Sequence, residues 1–289
     1  MLMNKVLFTK MSGAGNDFVF VDKIENPEFH PTPDRIKKIC NRRYGVGADG
    51  LIEIENVDDY NFKMNYFNAD GSTGSLCANG ARCSIWFAEN TGRLKNGKAR
   101  FVAASNEYSG EVISYELVKF NLNAPQKIKF DFRVKAFGQM IKSNFADTGS
   151  PHIVINVNDI QVNPNNGITF QNIKDVPVYQ IGKEIRYSTD FAPAGTNVNF
   201  VQVTNNEILI RTYERGVEDE TLACGTGSVA SAIICSVTHK LSPPITLKTY
   251  GGDKLIVNFD VENQKVNNPS ITGPAKIVFV GSFDKNLFE

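Results

Sequence analysis

The segment Thr226–His239 has almost no polar face. Val229, Ala230, Ala232, Ile233, Ile234, Cys235 and Val237 are spread all the way round a helix. A helix that is apolar on every side must be buried on every side. Ala81–Ala88 is a second, similar segment that keeps Arg82. The rest of the chain reads mainly as strands rich in Val, Ile, Phe and Tyr and bounded by turns: Asp17–Asp22, Leu51–Glu55, Phe62–Phe67, Arg100–Ala104, Glu111–Leu117, His152–Val157, Val198–Val203, Glu207–Tyr213, Leu255–Phe259 and Ala275–Gly281. One further helix, Thr32–Arg43, is announced by its Thr-Pro-Asp start. Few helices, two of them wholly apolar, among many strands imply two sheets, each wrapped around its own central helix.

The order of signals repeats. The first half runs Ser12-Gly-Ala-Gly-Asn-Asp-Phe-Val, then Gly45-Val-Gly-Ala-Asp-Gly50-Leu, then Tyr66 and Cys77. The second runs Thr148-Gly-Ser-Pro-His-Ile-Val, then Gly195-Thr-Asn-Val-Asn-Phe, then Tyr213 and Cys224. The tyrosine precedes the cysteine by the same distance both times, and a small-residue apolar helix follows each cysteine. This predicts two lobes: residues 1–124, completed by 275–289, and residues 125–274, with the boundary at Pro125. The literal Gly-x-Gly-x-x-Gly at Gly45–Gly50 is read as a tight turn. A helix precedes it and a strand follows, the reverse of a dinucleotide site.

The bulk numbers exclude other classes. Lys+Arg and Asp+Glu balance at 31 each, so no net charge attracts nucleic acid or an anionic membrane, and only a local patch could do so. The N-terminal alternation Met1–Met11 lacks a signal-peptide core. No stretch reaches the roughly 18 apolar residues of a membrane helix. A cytoplasmic location is expected. The odd count of five cysteines argues against a disulfide framework. His30, His152 and His239 lie far from any zinc spacing, so no metal is expected.

Cys77 and Cys224 each stand where a loop meets a helix. At a helix N-terminus, open N–H groups and aligned peptide dipoles stabilise thiolate and bind anions. One such cysteine would be read as a core residue; two in matching positions point to paired acid–base groups. Inverting a carbon requires removing a proton from one face and delivering one to the other. Cys40, Cys83 and Cys235 lack this setting and are read as packing. Glu214-Arg215 is either a solvated pair or a site for an ammonium and a carboxylate. Asn16, Asn68, Asn79 and Asn197 sit in turn-like strings, where most asparagines simply hold turns. His152 reads equally as structural or functional.

Phe8-Thr-Lys-Met-Ser-Gly-Ala-Gly-Asn-Asp-Phe-Val, Phe67-Asn-Ala-Asp-Gly-Ser, Cys77-Ala-Asn-Gly-Ala-Arg-Cys, Gly149-Ser-Pro-His and Tyr213-Glu-Arg-Gly-Val-Glu-Asp-Glu-Thr-Leu-Ala-Cys-Gly-Thr-Gly resemble the diaminopimelate epimerase family, in its order and over nearly the whole chain. The resemblance implies an α/β (α+β) fold of two pseudo-symmetric lobes, each a mixed sheet rolled around a buried helix, with the site in the cleft between them. It implies interconversion of LL- and meso-diaminopimelate without pyridoxal phosphate, metal or other cofactor. Cys77 is the implied proton donor and Cys224 the acceptor in the LL-to-meso direction. His152 falls on a position that supports catalysis. Asn16, Asn68, Ala78, Asn79, Ser150, Asn197, Glu214, Arg215, Gly225 and Thr226 fall on substrate-binding positions, and Glu214 is also counted with the catalytic groups. The expected partners are the small-molecule substrate and a second copy in a homodimer.

The chain departs from the family at three places. Ala78 replaces a usual glycine and would be strained at positive φ. Ser150 replaces an asparagine, and Gly50 a glutamine. The rivals are a two-cysteine racemase for another amino acid on the same fold and a non-catalytic binding protein. Glu214 and Arg215 favour a substrate with a second amino-acid head, and two intact cysteines disfavour mere binding.

Overall fold

The computed structural model describes residues 5–74, 76–163, 167–205 and 207–288. Residues 1–4 of the N-terminal alternation, and residues 75, 164–166, 206 and 289 of the expected lobes, lie outside the described residues. The chain divides into two compact units, Met1–Asn121 with Gly273–Glu289, and Leu122–Thr272.

The first unit runs β1 (Lys5–Gly13), β2 (Asn16–Asp22), α1 (Pro33–Cys40), β3 (Gly50–Glu55), β4 (Phe62–Asn68), α2 (Ala78–Asn90), β5 (Lys98–Ala103), β6 (Asn106–Ser114) and β7 (Leu117–Asn121). The second runs β8 (Lys127–Ala136), β9 (Gln139–Asp147), β10 (Pro151–Asn156), α3 (Val178–Arg186), β11 (Asn197–Val203), β12 (Ile208–Glu214), β13 (Asp219–Thr221), α4 (Gly225–Thr238), β14 (Ile245–Lys248), β15 (Lys254–Glu262) and β16 (Lys265–Pro274). The last strand, β17 (Lys276–Asp284), pairs with β1 in the first unit.

The wiring is the same twice. Among the described residues the first unit orders its strands β17-β1-β2-β3-β4-β5-β6-β7. The second orders them β8-β9-β10-β11-β12-β14-β15-β16, with β13 added on β12. The parallel pairs are β2/β3 and β4/β5 in one unit, and β10/β11 and β12/β14 in the other; the remaining neighbours are antiparallel. Each parallel pair needs a crossover. Helices α1 and α3 serve the first pair of each unit, and α2 and α4 the second.

Helix α2 touches β1, β2, β4, β6, β7 and β17, and α4 touches β9, β10, β11, β12, β14 and β15. Each apolar helix is thus the axis of its own curled sheet. The strands between the two helix layers are buried on both faces, so they read as unbroken apolar runs rather than alternations. In β2, Phe20 stacks on Phe87 of α2, with ring centroids 5.4 Å apart. Val19 and Val21 point the other way, into a core with Ile36 and Ile39 of α1. In the second unit, Ile153, Ile155, Val198 and Phe200 pack on Ile181 and Ile185 of α3.

Four sequence expectations need correction. The strand expected over Glu111–Leu117 does not run through: Glu111–Ser114 is the end of β6, the chain turns at Tyr115–Glu116 with Glu116 at φ 57°, and Leu117 begins β7. Helix Thr32–Arg43 stops at Cys40, where the Asn41 side chain accepts the Arg43 and Tyr44 N–H groups and turns the chain. Helix α3 is not among the sequence expectations, and the glycine in its middle, Gly182, lowers its intrinsic helix propensity. Glycine is required there: a Cβ on residue 182 would come within 2.4 Å of Tyr213 Cβ.

The fourth correction concerns the matched tyrosines. The ladders set Phe18 opposite Gly50 and His152 opposite Asn197, so Gly50 and Asn197 are equivalent. Tyr66 then lies opposite Ile52, and Thr212 opposite Asn199. Tyr66 therefore matches Thr212, and Tyr213 is one step further along. One step moves a strand side chain to the other face. Tyr66 meets Phe18 edge-on at 6.0 Å, while Tyr213 joins the core under α3. The equal spacing to cysteine arises because the turn before Cys224, which includes β13, holds one more residue.

Candidate active site

In the first unit a two-residue turn joins β1 to β2, with Ala14 at φ 56° and Gly15 at φ 87°. It sets Asn16 at the head of β2. The Asn16 amide donates to Asp49 Oδ2 at 2.7 Å. Its oxygen accepts from Asn79 Nδ2 at 3.2 Å and faces Cys77 Sγ at 3.6 Å. Cys77 is the N-cap of α2, with φ −108° and ψ 109°, and its sulfur accepts the Gly80 N–H at 3.4 Å. Asn79 Oδ1 in turn accepts from Arg82, a fully buried guanidinium, at 2.8 Å. Three of the expected residues, Asn16, Cys77 and Asn79, are thus joined in one network.

Asp49 and Asp17 brace this network. Arg42 bonds to both carboxylates, and Lys10 pairs with Asp17 at 2.6 Å. Burial alone would push the Asp17 carboxyl up, but its bonds to Arg42 and Lys10 outweigh that and bring it down to about 2. Ala78 is the first residue of α2 and lies in helical rather than positive-φ backbone, so alanine is unstrained there. Asn68 ends β4 opposite Gly50, and its amide donates to Ser72 Oγ at 2.9 Å, which closes its own turn.

In the second unit Cys224 is the N-cap of α4, with φ −114° and ψ 113°, nearly the geometry of Cys77. Its sulfur lies 3.7 Å from Thr226 Oγ1. Thr226 Oγ1 is 2.9 Å from His152 Nε2, and Ser150 Oγ is 2.9 Å from the same nitrogen. Ser150 thus lies in the hydrogen-bond network of the histidine. Gly225 supplies the first backbone N–H of the helix, one of the groups with no partner inside an α-helix. Asn197 ties three strands together: its Nδ2 donates to Pro151 O at 3.0 Å, and its Oδ1 accepts the Arg215 N–H at 2.9 Å. Glu214 accepts from Thr221 Oγ1 at 2.9 Å, and Arg215 donates to Ala194 O at 3.3 Å. Both side chains are half-buried at the end of β12.

His152 is completely buried. Burial, with the charge of Arg215 nearby, pushes its imidazole down to about 3. An unfolded chain takes up this proton near the ordinary value of 6.5, and the folded one refuses it. Above that value both states leave the imidazole neutral and His152 makes no pH-dependent contribution. As pH falls from there toward 3 only the unfolded chain binds the proton, and stability drops by about 1.4 kcal/mol per pH unit. Urea midpoints followed from pH 7 to pH 4 should fall less steeply for His152→Gln than for the unaltered protein.

Burial pushes Cys40, Cys83 and Cys235 up to about 12, so all three stay as thiols. Only thiolate is strongly nucleophilic. Iodoacetamide at pH 8 should label Cys77, which is half-buried, well before these three. They should react only after denaturation, as peptide mapping would show.

The sequence reading passed over two residues, Asp49 and Asn199. Asp49 was hidden in a glycine-rich turn. Asn199, which is fully buried, was hidden inside a strand and gave no signal beyond being polar in an apolar run. Among the described residues no group of three or more His, Cys, Asp or Glu side chains is placed to hold a metal. Likewise, no helix is long and apolar enough to cross a membrane.

Comparison with known proteins places the chain in a family. A protein from Chlorobaculum tepidum described as diaminopimelate epimerase is 40% identical over 275 residues, covering 94% of this chain and 99% of its own. A second, from Flavobacterium psychrophilum, is 37% identical, covering 93% and 97%. The crystal structure of a probable proline racemase from Agrobacterium radiobacter K84 matches with a TM-score of 0.73, covering 98% of this chain and 94% of its own. At 13% identity that likeness speaks for the fold alone. The family model described as diaminopimelate epimerase matches residues 8–127 and 144–278. With that match over most of its length, and a cysteine heading the central helix of each unit, the chain belongs to the diaminopimelate epimerase family.

Proposed function

We propose that this protein interconverts LL- and meso-2,6-diaminopimelate by proton transfer at an α-carbon between two cysteines, without cofactor or metal. The observation that carries this reading is the same in both units: a cysteine caps the N-terminus of the central helix. Cys224 as thiolate removes the α-proton in the LL-to-meso direction, and Cys77 as thiol delivers one to the opposite face. Charge builds on the substrate carboxylate as the proton leaves. The backbone N–H groups at the starts of α2 and α4, including those of Ala78, Asn79, Gly225 and Thr226, suit that charge.

Glu214 and Arg215 offer opposite charges for an ammonium and a carboxylate of the substrate, and Asn16, Asn68 and Asn197 offer amides. Ser150 and His152 act on the Cys224 side through Thr226. The protein is read as a cytoplasmic enzyme of lysine and cell-wall precursor synthesis with no nucleic-acid or membrane partner. A homodimer is the proposed assembly. The exposed run Val278, Phe279 and Val280 of β17 supplies apolar surface for a second copy to cover.

Solvent-deuterium incorporation at the α-carbon of LL-diaminopimelate, followed by proton NMR with no cofactor added, tests the reading. Exchange with conversion to the meso isomer is expected. Exchange with another amino acid but not with diaminopimelate would overturn the substrate. No exchange with any amino acid would overturn the reaction.

A further inference from the structure

The hydrogen bonds around His152 fix where its proton sits. Asn199 Nδ2 lies 2.8 Å from the carbonyl oxygen of Ile153, which can only accept. Asn199 Oδ1 lies 3.0 Å from the Thr212 hydroxyl, which can donate. Turning this amide over would set two oxygens face to face in a fully buried place, so its NH2 group must point toward Ile153. The same NH2 lies 3.2 Å from His152 Nδ1. Nδ1 faces a donor and therefore accepts. In a neutral imidazole the proton then resides on Nε2.

Nε2–H points at the hydroxyls of Ser150 and Thr226, each 2.9 Å away. Those hydroxyls lie 3.2 Å apart. With the ring as donor, neither hydroxyl has to give its proton to the imidazole, and the Thr226 proton is available to Cys224 Sγ at 3.7 Å. With the proton on Nδ1, one of the two hydroxyls would have to donate to Nε2 instead. The strand register supports this placement: Asn199 pairs across to Thr212 on β12, on the face that meets α4. There it closes tightly on the helix, since a Cβ on Gly227 would come within 2.3 Å of Asn199 Oδ1.

We propose that Asn199 is a positioning residue for proton transfer: its amide, held by Ile153 and Thr212, keeps His152 in the Nε2–H form, so that the Thr226 hydroxyl donates toward the Cys224 sulfur. A hydroxyl donating to sulfur stabilises the thiolate over the thiol. Asn199 acts through His152 and Thr226. This inference rests on the reading of Cys224 as an acid–base group.

The test is a long-range proton–nitrogen NMR spectrum of the imidazole-labelled protein, read without substrate. The chain has three histidines, and His152→Gln assigns the signal. Protonation at Nε2 is expected in the unaltered protein, and protonation at Nδ1 would overturn the proposal. In Asn199→Asp an acceptor replaces the NH2 group. The Nδ1–H form should then appear, Cys224 alkylation at fixed pH should slow, and kcat for epimerisation should fall about tenfold or more with KM little changed. An Asn199→Asp protein that keeps the Nε2–H form, or keeps full kcat with the tautomer reversed, would also overturn it. If that variant does not fold, the spectrum of the unaltered protein decides alone. Because the tautomer is read without turnover, failure of diaminopimelate as substrate would leave this result standing.

Discussion

Cys77→Ser and Cys224→Ser are each expected to lower kcat/KM for diaminopimelate epimerisation by roughly 10²–10⁴, with the fold intact. A serine hydroxyl is a far weaker acid than a thiol, so it neither takes up nor delivers the α-proton at a useful rate. The position itself accepts serine well. Both cysteines are helix N-caps with extended backbone, and serine is among the preferred N-cap residues. Thermal unfolding midpoints should therefore match or exceed those of the unaltered protein. This separates chemistry from stability in one experiment. Each variant should also exchange the α-proton of only one stereoisomer, and slowly, since one thiol reaches one face of the carbon. Retention of most epimerase activity in either variant would refute the two-thiol mechanism.

Gly227→Ala is expected to destabilise the second unit and to cut activity together. On helix propensity alone the change would be favourable, since alanine outranks glycine by about 1 kcal/mol inside a helix. The surroundings reverse the sign. The new methyl would lie 2.3 Å from Asn199 Oδ1 and 3.3 Å from Cys224 Sγ. Asn199 is pinned by bonds to Ile153 and Thr212, so it has no room to retreat. Overpacking of this kind costs about 1–3 kcal/mol, enough to outweigh the propensity gain. Relief by sliding α4 would move Cys224 and Thr226 with it. A lower urea midpoint and a reduced kcat are expected, and a more stable, fully active variant would show that the helix has slack at this point.

The site residues differ in how much their sequence settings revealed. Cys77 and Cys224 were legible because a cysteine before a small-residue apolar helix is a local pattern, and it occurs twice. The rolled-sheet architecture was legible for a related reason: an apolar helix without a polar face has to be surrounded, and the only elements available to surround it were strands. Asn16 and His152 were ambiguous in isolation, since turn asparagines and buried histidines are common. Their partners, Asp49 at 2.7 Å and Thr226 at 2.9 Å, lie far away in the chain.

The sequence by itself determined the two central helices and most of the strands around them, the twofold order of signals and the two cysteines, because periodicity, turn residues and helix starts are local properties. Only the tertiary structure decided the register that matches Tyr66 to Thr212 rather than to Tyr213. One extra residue in a turn cannot be seen from spacing, yet it changes which face a side chain occupies. The tertiary structure alone also revealed helix α3, in which Gly182 lies pressed against Tyr213. The same holds for the amide of Asn199, whose direction is set by a carbonyl on the neighbouring strand and a hydroxyl on the next. Hydrogen-bond polarity inside a buried network depends on what surrounds each group in space, and neighbours in sequence do not supply that.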